Sequence, residues 1–567
     1  MRQLTPWRNA AFAMAFLFFS LNLTAQTSRP DFNRASDFDV QHYIIRVSFD
    51  RPAKRVLGET TVRLKPVKDG LRQVVLDSVD IAYSSVSSEQ DGMPLKYRAA
   101  GGKITVELNR AYSSDETLGI VFKHSSNPKK GVYFVAERKA DEGFPGHSPQ
   151  IWTQGEPDEA RHWFPSFDFP SDKATTEQFI TANKSETVIG NGVHVARSEN
   201  SDGTLTHHFK MDLPYSTYLV SFIIGEYAVV NEKYKDTPLG YFVYPGTEWI
   251  VPKAYGKTRE MFRIFEEATK VDYPYAKYDQ TIVSAFSFGG MENITATTMA
   301  DTEIFLANNP LFAGAVEDLV SHELAHSWFG NLVTCKNWAE LWLNEGFATF
   351  LEAVSREKLY GRQAYIFKVK GDAERFITED AVNTKRHGLF NRNAADVGSL
   401  FDRAGTTYNK GGAVLHTLRE QIGDEAFWRG VNIYLNRHKF GSVETTDLIR
   451  AMEEASGDEL DWFFDQWVYG LGSPKLTVKQ AYDPAQKILT LTISQTQKQE
   501  KFSPSAYRLP LDLEVATETG KKTEKIELTK RLETFKIKTD GRPTVLALDK
   551  LEKVPIKTVK ILPLPTK

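Results

Sequence analysis

The sequence is poor in cysteine and has no long basic run. Cys335 is the only cysteine in 567 residues, so no disulfide can form within the chain, and packed apolar cores must supply its stability. Cys335 itself is expected to be a small, semi-buried packing residue. The formal net charge is −3, and without a basic cluster the sequence argues against nucleic-acid binding as the main task.

Long apolar segments are also lacking after the first 25 residues. Within them, two arginines precede a mostly apolar stretch from Ala10 to Leu23, and the small residue Ala25 follows. This pattern is typical of a secretory signal peptide, residues 1–25, cleaved before Gln26. The alternative is a membrane anchor, but fourteen residues are short for a hydrocarbon core of about 30 Å. We therefore predict an exported protein, periplasmic or secreted, without a stable membrane span after cleavage.

The periodicity of apolar residues changes twice along the chain. Short runs rich in β-branched residues predict a mainly antiparallel β domain over residues 36–248. Helical spacing follows over residues 249–472, where Gly361 and Gly423 mark helix ends. Alternation returns in residues 473–567 and predicts a small β-sandwich. The expected fold is thus multidomain α+β, with a mainly helical domain between two β domains.

Two histidines four residues apart lie in a stretch with helical spacing, Ala315 to Val333. Residues i and i+4 share one face of a helix, so His322 and His326 can direct their imidazoles at one metal ion. Glu323 is rotated by about 100° from His322 and can instead reach a water on that ion. This is the logic of the HExxH motif, two zinc ligands and a general base. The alternative is a helix face with two unrelated histidines.

A catalytic zinc ion usually has three protein ligands, and the sequence offers routes to the third one. The route through a histidine six residues after the motif is closed, because that position is Leu332. A second route, a thiolate ligand from Cys335, is supported only by the proximity of Cys335 to the motif in the sequence. Glu345 lies on a second predicted helix, from Ala339 to Gly361, and an antiparallel return of that helix brings its carboxylate to the histidines. Glu352, two turns further, is either a partner of a ligand histidine or an exposed carboxylate.

These residues resemble the motifs of a known family. HELAH, followed after eighteen residues by Glu345 within WLNEGFAT, is similar to the zinc aminopeptidases of the aminopeptidase N and leukotriene hydrolase family. Members of this family are gluzincins with a thermolysin-like catalytic domain. The resemblance implies one zinc ion per chain, with His322, His326 and Glu345 as ligands and Glu323 as the general base.

Three further motifs of the family are present in the expected order. TYNKGG places Tyr408 86 residues after His322, which implies a catalytic tyrosine. TQGE places Gln154 and Glu156 where the family reaches the active site. GGMEN differs from the family's usual tract by glycine in place of alanine at its second position. The resemblance implies that this tract binds the peptide and that its glutamate binds the free amine; its residues are Gly289, Gly290, Met291, Glu292 and Asn293.

The motifs together predict which end of a peptide is attacked. Carboxylates at Glu156 and Glu292 would be costly to bury without a cation, and a free peptide N-terminus supplies one. The alternative for this pair is a structural salt bridge. We therefore predict a zinc aminopeptidase acting on peptides with a free N-terminus. Hydrolysis of a lipid epoxide, as in some relatives, and a non-catalytic role stay as alternatives.

Some properties are not predicted by the sequence. We expect the chain to lack the family's large C-terminal helical domain, which leaves open what closes the site. Phe288, next to the GGMEN tract, either narrows the pocket for the first side chain or is a plain core aromatic. The preferred residue, the physiological substrates and the oligomeric state carry no sequence signal.

Overall fold

Burial in the N-terminal part alternates along some strands and not along others. In Lys173–Ala182 buried and partly buried side chains alternate over all ten residues, whereas Val193–Glu199 is exposed throughout. The structure is a computed structural model that describes residues 29–141, 144–402 and 404–565. The predicted signal peptide lies outside the described residues.

Fourteen strands make up this N-terminal part. They are β1 Phe38–Asp50, β2 Arg55–Pro66, β3 Leu71–Asp77, β4 Ile81–Ser88, β5 Lys96–Ala100, β6 Lys103–Tyr112, β7 Leu118–Ser126, β8 Val132–Val135, β9 Gln150–Thr153, β10 Lys173–Ala182, β11 Thr187–Gly190, β12 Val193–Glu199, β13 Leu205–Ser216 and β14 Phe222–Gly225.

These strands form three sheets. The largest has seven strands in the order β12-β13-β10-β1-β2-β7-β4, and only its β1–β10 pair is parallel. The others have the orders β11-β14-β9-β8 and β3-β6-β5. The prediction of an N-terminal, mainly antiparallel β domain is confirmed. Strand β9 ends at Thr153, so Gln154 and Glu156 leave the sheet directly after it.

A five-stranded sheet follows, with the order β15-β16-β17-β19-β18. Strand β16 pairs in parallel with β17, so strands on both sides of the predicted boundary at residue 248 belong to one sheet. Strand propensity alone does not reveal which sheet a strand joins. The strands are β15 Ala228–Tyr234, β16 Thr237–Val243, β17 Tyr278–Val283, β18 Gly290–Met291 and β19 Ala296–Ala300.

Ten helices follow or flank this sheet, which confirms a mainly helical middle part. They are α1 Val251–Ala254, α2 Thr258–Thr269, α3 Asp301–Ile304, α4 Ala313–Ala325, α5 Trp342–Tyr360, α6 Arg362–Val382, α7 Gly411–Ile422, α8 Asp424–His438, α9 Thr445–Ser456 and α10 Asp461–Trp467. A short parallel ribbon, β20 Thr334–Cys335 with β21 Ser442–Val443, lies among them.

Helix α4 is shorter than the sequence predicts. The periodic stretch runs to Val333, but the helix ends at Ala325. Gly330 has a φ of 124°, which a helix cannot contain, and the segment before it folds into turns. Helix α5, in contrast, ends at Tyr360 as predicted, because Gly361 has a φ of 91°.

The C-terminal part is a two-sheet β structure, as predicted. Its sheets have the orders β26-β23-β22-β28 and β25-β24-β27. The strands are β22 Lys475–Asp483, β23 Ile488–Gln495, β24 Leu509–Thr517, β25 Lys521–Leu528, β26 Leu532–Lys538, β27 Pro543–Leu548 and β28 Thr558–Ile561. Across the described residues, every helix is too short or too polar to pass through a bilayer.

Candidate metal and peptide-binding site

The two histidines of the HELAH motif lie at the end of helix α4. His322 is in its last turn, and His326 is the residue that caps it. Nδ1 of His322 is 2.7 Å from Oε1 of Glu352, and Nδ1 of His326 is 2.8 Å from the carbonyl oxygen of Phe329. Both of these partners accept hydrogen bonds, so each Nδ1 donates its proton. The two Nε2 atoms are therefore the ones available to a metal.

Glu345, in the first turn of helix α5, completes the group. Its Oε2 is 3.1 Å from Nε2 of His322 and 3.4 Å from Nε2 of His326. Ligands that lie about 2.1 Å from a tetrahedral zinc ion are about 3.4 Å apart, so these spacings fit a zinc ion. A His-His-Glu set with an open fourth position is typical of catalytic zinc sites. The three residues named from the sequence can therefore hold the metal.

The site is buried and rich in ionisable groups. Burial raises the pKa of Glu323 to about 8. Burial also lowers the pKa of His322, but hydrogen bonds with Glu345 and Glu352 outweigh it and raise that pKa to about 9. For Glu345, burial is outweighed by the charge of His326 and by hydrogen bonds from both histidines, and the pKa falls to about 2. These buried carboxylates favour a bound cation.

Glu323 lies against the GGMEN tract. A Cβ atom built on Gly290 would lie 2.2 Å from Oε1 of Glu323 and 2.6 Å from its Cγ. Alanine at this position would force the carboxylate to move. Gly290, where the family's usual tract has alanine, therefore leaves the space that the carboxylate of Glu323 occupies.

Tyr408 belongs to the same site. It lies in a π-helical turn, Thr406–Lys410, that leads directly into helix α7. Its ring stacks on His322. The turn comes this close because α5 and α7 touch at two glycines: a Cβ on Gly411 would lie 2.7 Å from Cα of Gly346. Burial raises the pKa of Tyr408 well above its usual value, so its hydroxyl keeps its proton.

Three acceptors lie beside this group without a donor. Oε1 of Glu156, Oε1 of Glu292 and Oε1 of Gln154 are buried and have no hydrogen-bond partner among the described residues. One carboxylate oxygen of each of Glu156, Glu292 and Glu345 lies within 4.8 Å of the others. Burial raises the pKa of both Glu156 and Glu292, and for Glu156 the charge of Glu292 adds to the rise. The unpaired Oε1 atoms of Glu156 and Glu292 do not fit the alternative that these residues form structural salt bridges.

A cavity of about 520 Å³ joins these groups. Twelve residues predicted from the sequence line it: Gln154, Glu156, Gly289, Gly290, Met291, Glu292, His322, Glu323, His326, Glu345, Glu352 and Tyr408. Asn293, the remaining residue of the predicted substrate-binding set, is not among the lining residues. Asn293 is 1% exposed, and its Nδ2 donates to Oγ1 of Thr298.

Two alternatives from the sequence are resolved by position. Glu352 is not an exposed carboxylate, because it accepts from Nδ1 of His322 and lies 2.8 Å from Nζ of Lys368. Cys335 is fully buried, and its backbone N–H donates to the side chain of Asn344. It belongs to none of the metal-sized groups found in the described part of the chain.

The sequence missed several residues of the site. Lys368, Asp372 and Asn409 line the cavity but stand in no recognisable motif, apart from the position of Asn409 next to Tyr408. Tyr218 was missed as well: its hydroxyl donates to the carbonyl of Gly330 and so ties the N-terminal sheets to the segment after α4. Contacts of this kind join distant segments, and spacing along the sequence does not encode them.

The fold and the donor set together define a class. A HExxH helix, a glutamate from the following helix and a cavity lined by further carboxylates are the features of a metallopeptidase of the gluzincin type. Family comparisons agree. The Peptidase family M1 domain matches residues 253–467, and the Peptidase M1 N-terminal domain matches residues 39–219. A domain of unknown function with an Ig-like fold matches residues 472–557. The chain belongs to peptidase family M1.

Similar proteins of known name are aminopeptidases. Aminopeptidase 2 of Candida albicans is 29% identical over 432 residues, which make up 75% of this chain and 46% of the relative. Aminopeptidase N of Streptomyces lividans is 33% identical over 61% of this chain and 40% of its own length. Glutamyl aminopeptidase of Rattus norvegicus is 31% identical over 59% and 36%. The chain thus spans about half the length of the curated relatives it matches, or less.

Proposed function

We propose that the protein is a zinc-dependent aminopeptidase that removes N-terminal residues from peptides. The observation that carries this proposal is the pair Glu156 and Glu292, whose buried Oε1 atoms lack a hydrogen-bond donor among the described residues. An unpaired buried carboxylate is costly, and the ammonium group of a peptide N-terminus would compensate both. Glu345 links this pair to the metal-ligand group, because its carboxylate belongs to both sets. The names of the relatives support the same activity.

The residues of the chain divide the chemistry among them. His322, His326 and Glu345 would hold one zinc ion, which when bound supplies Lewis-acid activation of water and of the scissile carbonyl. Glu323 accepts the proton of the attacking water and passes it to the leaving amine. Tyr408 donates a hydrogen bond to the carbonyl oxygen as negative charge builds on it, which is typically worth a few kcal/mol.

The peptide backbone would be held by the GGMEN tract. Strand β18, at the edge of the five-stranded sheet, pairs on one side with β19. Its other side has no partner among the described strands, and its residues line the cavity. An extended peptide can add to such an edge through main-chain hydrogen bonds. Gly290 and Met291 would thus align the peptide, while Glu292 holds its amine.

One experiment tests both halves of this proposal. A peptide and its N-acetylated form are incubated with the zinc-loaded protein, with and without a chelator. We expect release of the first residue from the free peptide only, its loss in chelator, and its return when zinc is added. Equal cleavage of both peptides would refute the exopeptidase assignment. Cleavage that persists after complete removal of zinc would refute the metal assignment.

We further propose that the protein is exported, to the periplasm or the medium. The support is the pattern of residues 1–25, a positive start, an apolar stretch and a small residue before Gln26. Amino-terminal sequencing of the protein from cell fractions tests this. We expect a mature chain beginning at Gln26 outside the cytoplasm, and an intact amino terminus in the cytoplasmic fraction would contradict it.

A further inference from the structure

The side chain of Lys368, which lines the cavity, lies between two carboxylates. Nζ of Lys368, on helix α6, is 2.8 Å from Oε2 of Glu352 and 2.8 Å from both oxygens of Asp372. The side chains of Lys368 and Glu352 are each 13% exposed, and that of Asp372 is 8% exposed. A buried group of this kind is stabilised only when its charges and hydrogen bonds are satisfied together.

One branch of this group leads to the metal ligands. The carboxylate of Glu352 uses its second oxygen to accept from Nδ1 of His322, at 2.7 Å. That hydrogen bond fixes the ring of His322 so that Nε2 faces Glu345. Lys368 is therefore two contacts away from His322 and three from the metal position, and it sets where the carboxylate of Glu352 stands.

The other branch leads to the tyrosine. Oδ1 of Asp372 accepts from Nδ2 of Asn409 at 2.7 Å, and both side chains are buried. Asn409 follows Tyr408 within the same π-helical turn. A π-helical turn is a local departure from regular helix, and it persists only where neighbouring groups hold it. The hydrogen bond from Asn409 to Asp372 stabilises the turn in this way, and the ammonium group of Lys368 neutralises the carboxylate of Asp372.

The surrounding charges leave this task to Lys368. Asp318, also on the cavity wall, has its own partner in Arg356, with Oδ2 and Nη2 2.6 Å apart. Burial lowers the pKa of Lys368, but Glu352 and Asp372 outweigh it, so the ammonium stays charged. Without it, the carboxylates of Glu352 and Asp372 would lose their only lysine or arginine partner identified in the described residues.

We propose that Lys368 is a positioning residue that fixes His322, through Glu352, and the turn of Tyr408, through Asp372 and Asn409. The activity part of this inference rests on the proposed aminopeptidase function, whereas the His322 branch concerns metal retention alone. Lys368 thereby keeps His322 and Tyr408 at a fixed distance from each other.

The test compares Lys368→Met, Lys368→Arg and a matched control, Lys370→Met. Lys370 lies on the same helix, is 51% exposed and pairs with Glu552 at the surface. Loss of such an outer partner typically costs about 10–100-fold in metal affinity or activity. We expect Lys368→Met to lose zinc to a chelator about tenfold faster or more, and to lose kcat in that range with KM little changed. Lys368→Arg should recover most of both, and Lys370→Met should match the wild type.

Two further variants separate the branches. Asn409→Ala should lower kcat without faster zinc loss, because it cuts only the tyrosine branch. In a Tyr408→Phe background, Lys368→Met should cost less kcat than it does alone, since part of its effect then has no target. Thermal unfolding shows which variants are folded. If Lys368→Met does not fold, Asn409→Ala tests the tyrosine branch in its place.

Several outcomes would overturn the inference. Wild-type zinc retention and kcat in folded Lys368→Met would do so, as would a change confined to KM, which would indicate contact with substrate. Equal losses in Lys370→Met would indicate a general weakening of helix α6. If the wild type cleaves no peptide, the proposed function fails, and the zinc-loss rates still decide the His322 branch.

Discussion

The rings of Tyr408 and His322 stack with their centroids 5.8 Å apart and their planes 14° from parallel. The tyrosine is thus fixed against a proposed metal ligand. Tyr408→Phe keeps the ring and this stacking but removes the hydroxyl. We expect kcat on an aminoacyl amide to fall about 100–1,000-fold, because a donor to the developing oxyanion is lost. Zinc content and KM should change little, and a kcat close to that of the wild type would remove Tyr408 from catalysis.

Glu323→Gln tests the general base separately from the metal. The substitution preserves size and leaves His322, His326 and Glu345 in place, so the variant should bind zinc fully. Turnover should fall by about 100–10,000-fold, the usual contribution of a positioned acid or base. Zinc is quantified by atomic absorption on the same preparation used for kinetics. Near-normal turnover in a zinc-replete sample would exclude Glu323 as the base.

Glu292→Gln tests recognition of the free amine. A hydrogen bond to a charged group is worth about 1.5–3 kcal/mol, so KM for a free peptide should rise roughly 10–150-fold. The weak cleavage of an N-acetylated peptide should not fall in parallel. Glu317→Gln is the control, because Glu317 lies on α4 outside the cavity lining and bonds the hydroxyl of Tyr360. An unchanged preference for the free amine in Glu292→Gln would count against this role.

Gly411→Ala tests the contact between helices α5 and α7. The added Cβ would lie 2.7 Å from Cα of Gly346, so the helices must separate. Overpacking of this kind typically costs about 1–3 kcal/mol, and it should also displace the turn of Tyr408. Gly371→Ala on α6 is the control, since its Cβ would meet no atom within 4 Å and should stabilise the helix. If calorimetry finds Gly411→Ala more stable than Gly371→Ala, the close contact between α5 and α7 is contradicted.

Lys173 predicts a pH dependence of stability. It lies on β10 and donates to the carbonyls of Asn331 and Leu332, at 3.0 and 3.3 Å. Burial lowers its pKa from 10.5 to about 7. Between those values the unfolded chain binds one proton more than the folded one, so stability rises with pH by about 1.4 kcal/mol per unit. Lys173→Met should remove that part of the slope in denaturant unfolding at pH 7.5 and 9. An unaltered slope would show that the amine is charged in the folded protein.

The metal ligands were predictable because helix geometry converts spacing into proximity. His322 and His326 share a face by the i, i+4 rule, and only one return of the chain was needed to add Glu345. The end of α4 was not predictable, since the apolar period continues through residues that the φ of Gly330 excludes from a helix. Lys368 was not predictable either, because its partner Glu352 lies on a different helix and a lysine on a helix is usually solvated.

The same contrast holds for the fold. Alternating burial in Ile488–Gln495 follows from the side-chain period of a strand, and the sequence predicted it. Which sheet β16 joins depends on its parallel pairing with β17, some 40 residues away, and no local pattern specifies such a partner. The burial of Asn293 was not predictable for a related reason, because membership in a motif does not tell which way a side chain points after a two-residue strand.

Glu156 reaches the cavity from the segment after β9, whereas the metal ligands come from α4 and α5. In this arrangement, one of the two carboxylates that would hold the peptide amine is carried by a different fold unit from the metal ligands. Changes in the segment after β9 can therefore alter recognition of the peptide end and leave the metal ligands in place. Recognition and hydrolysis are thus partly separable, in evolution and in engineering.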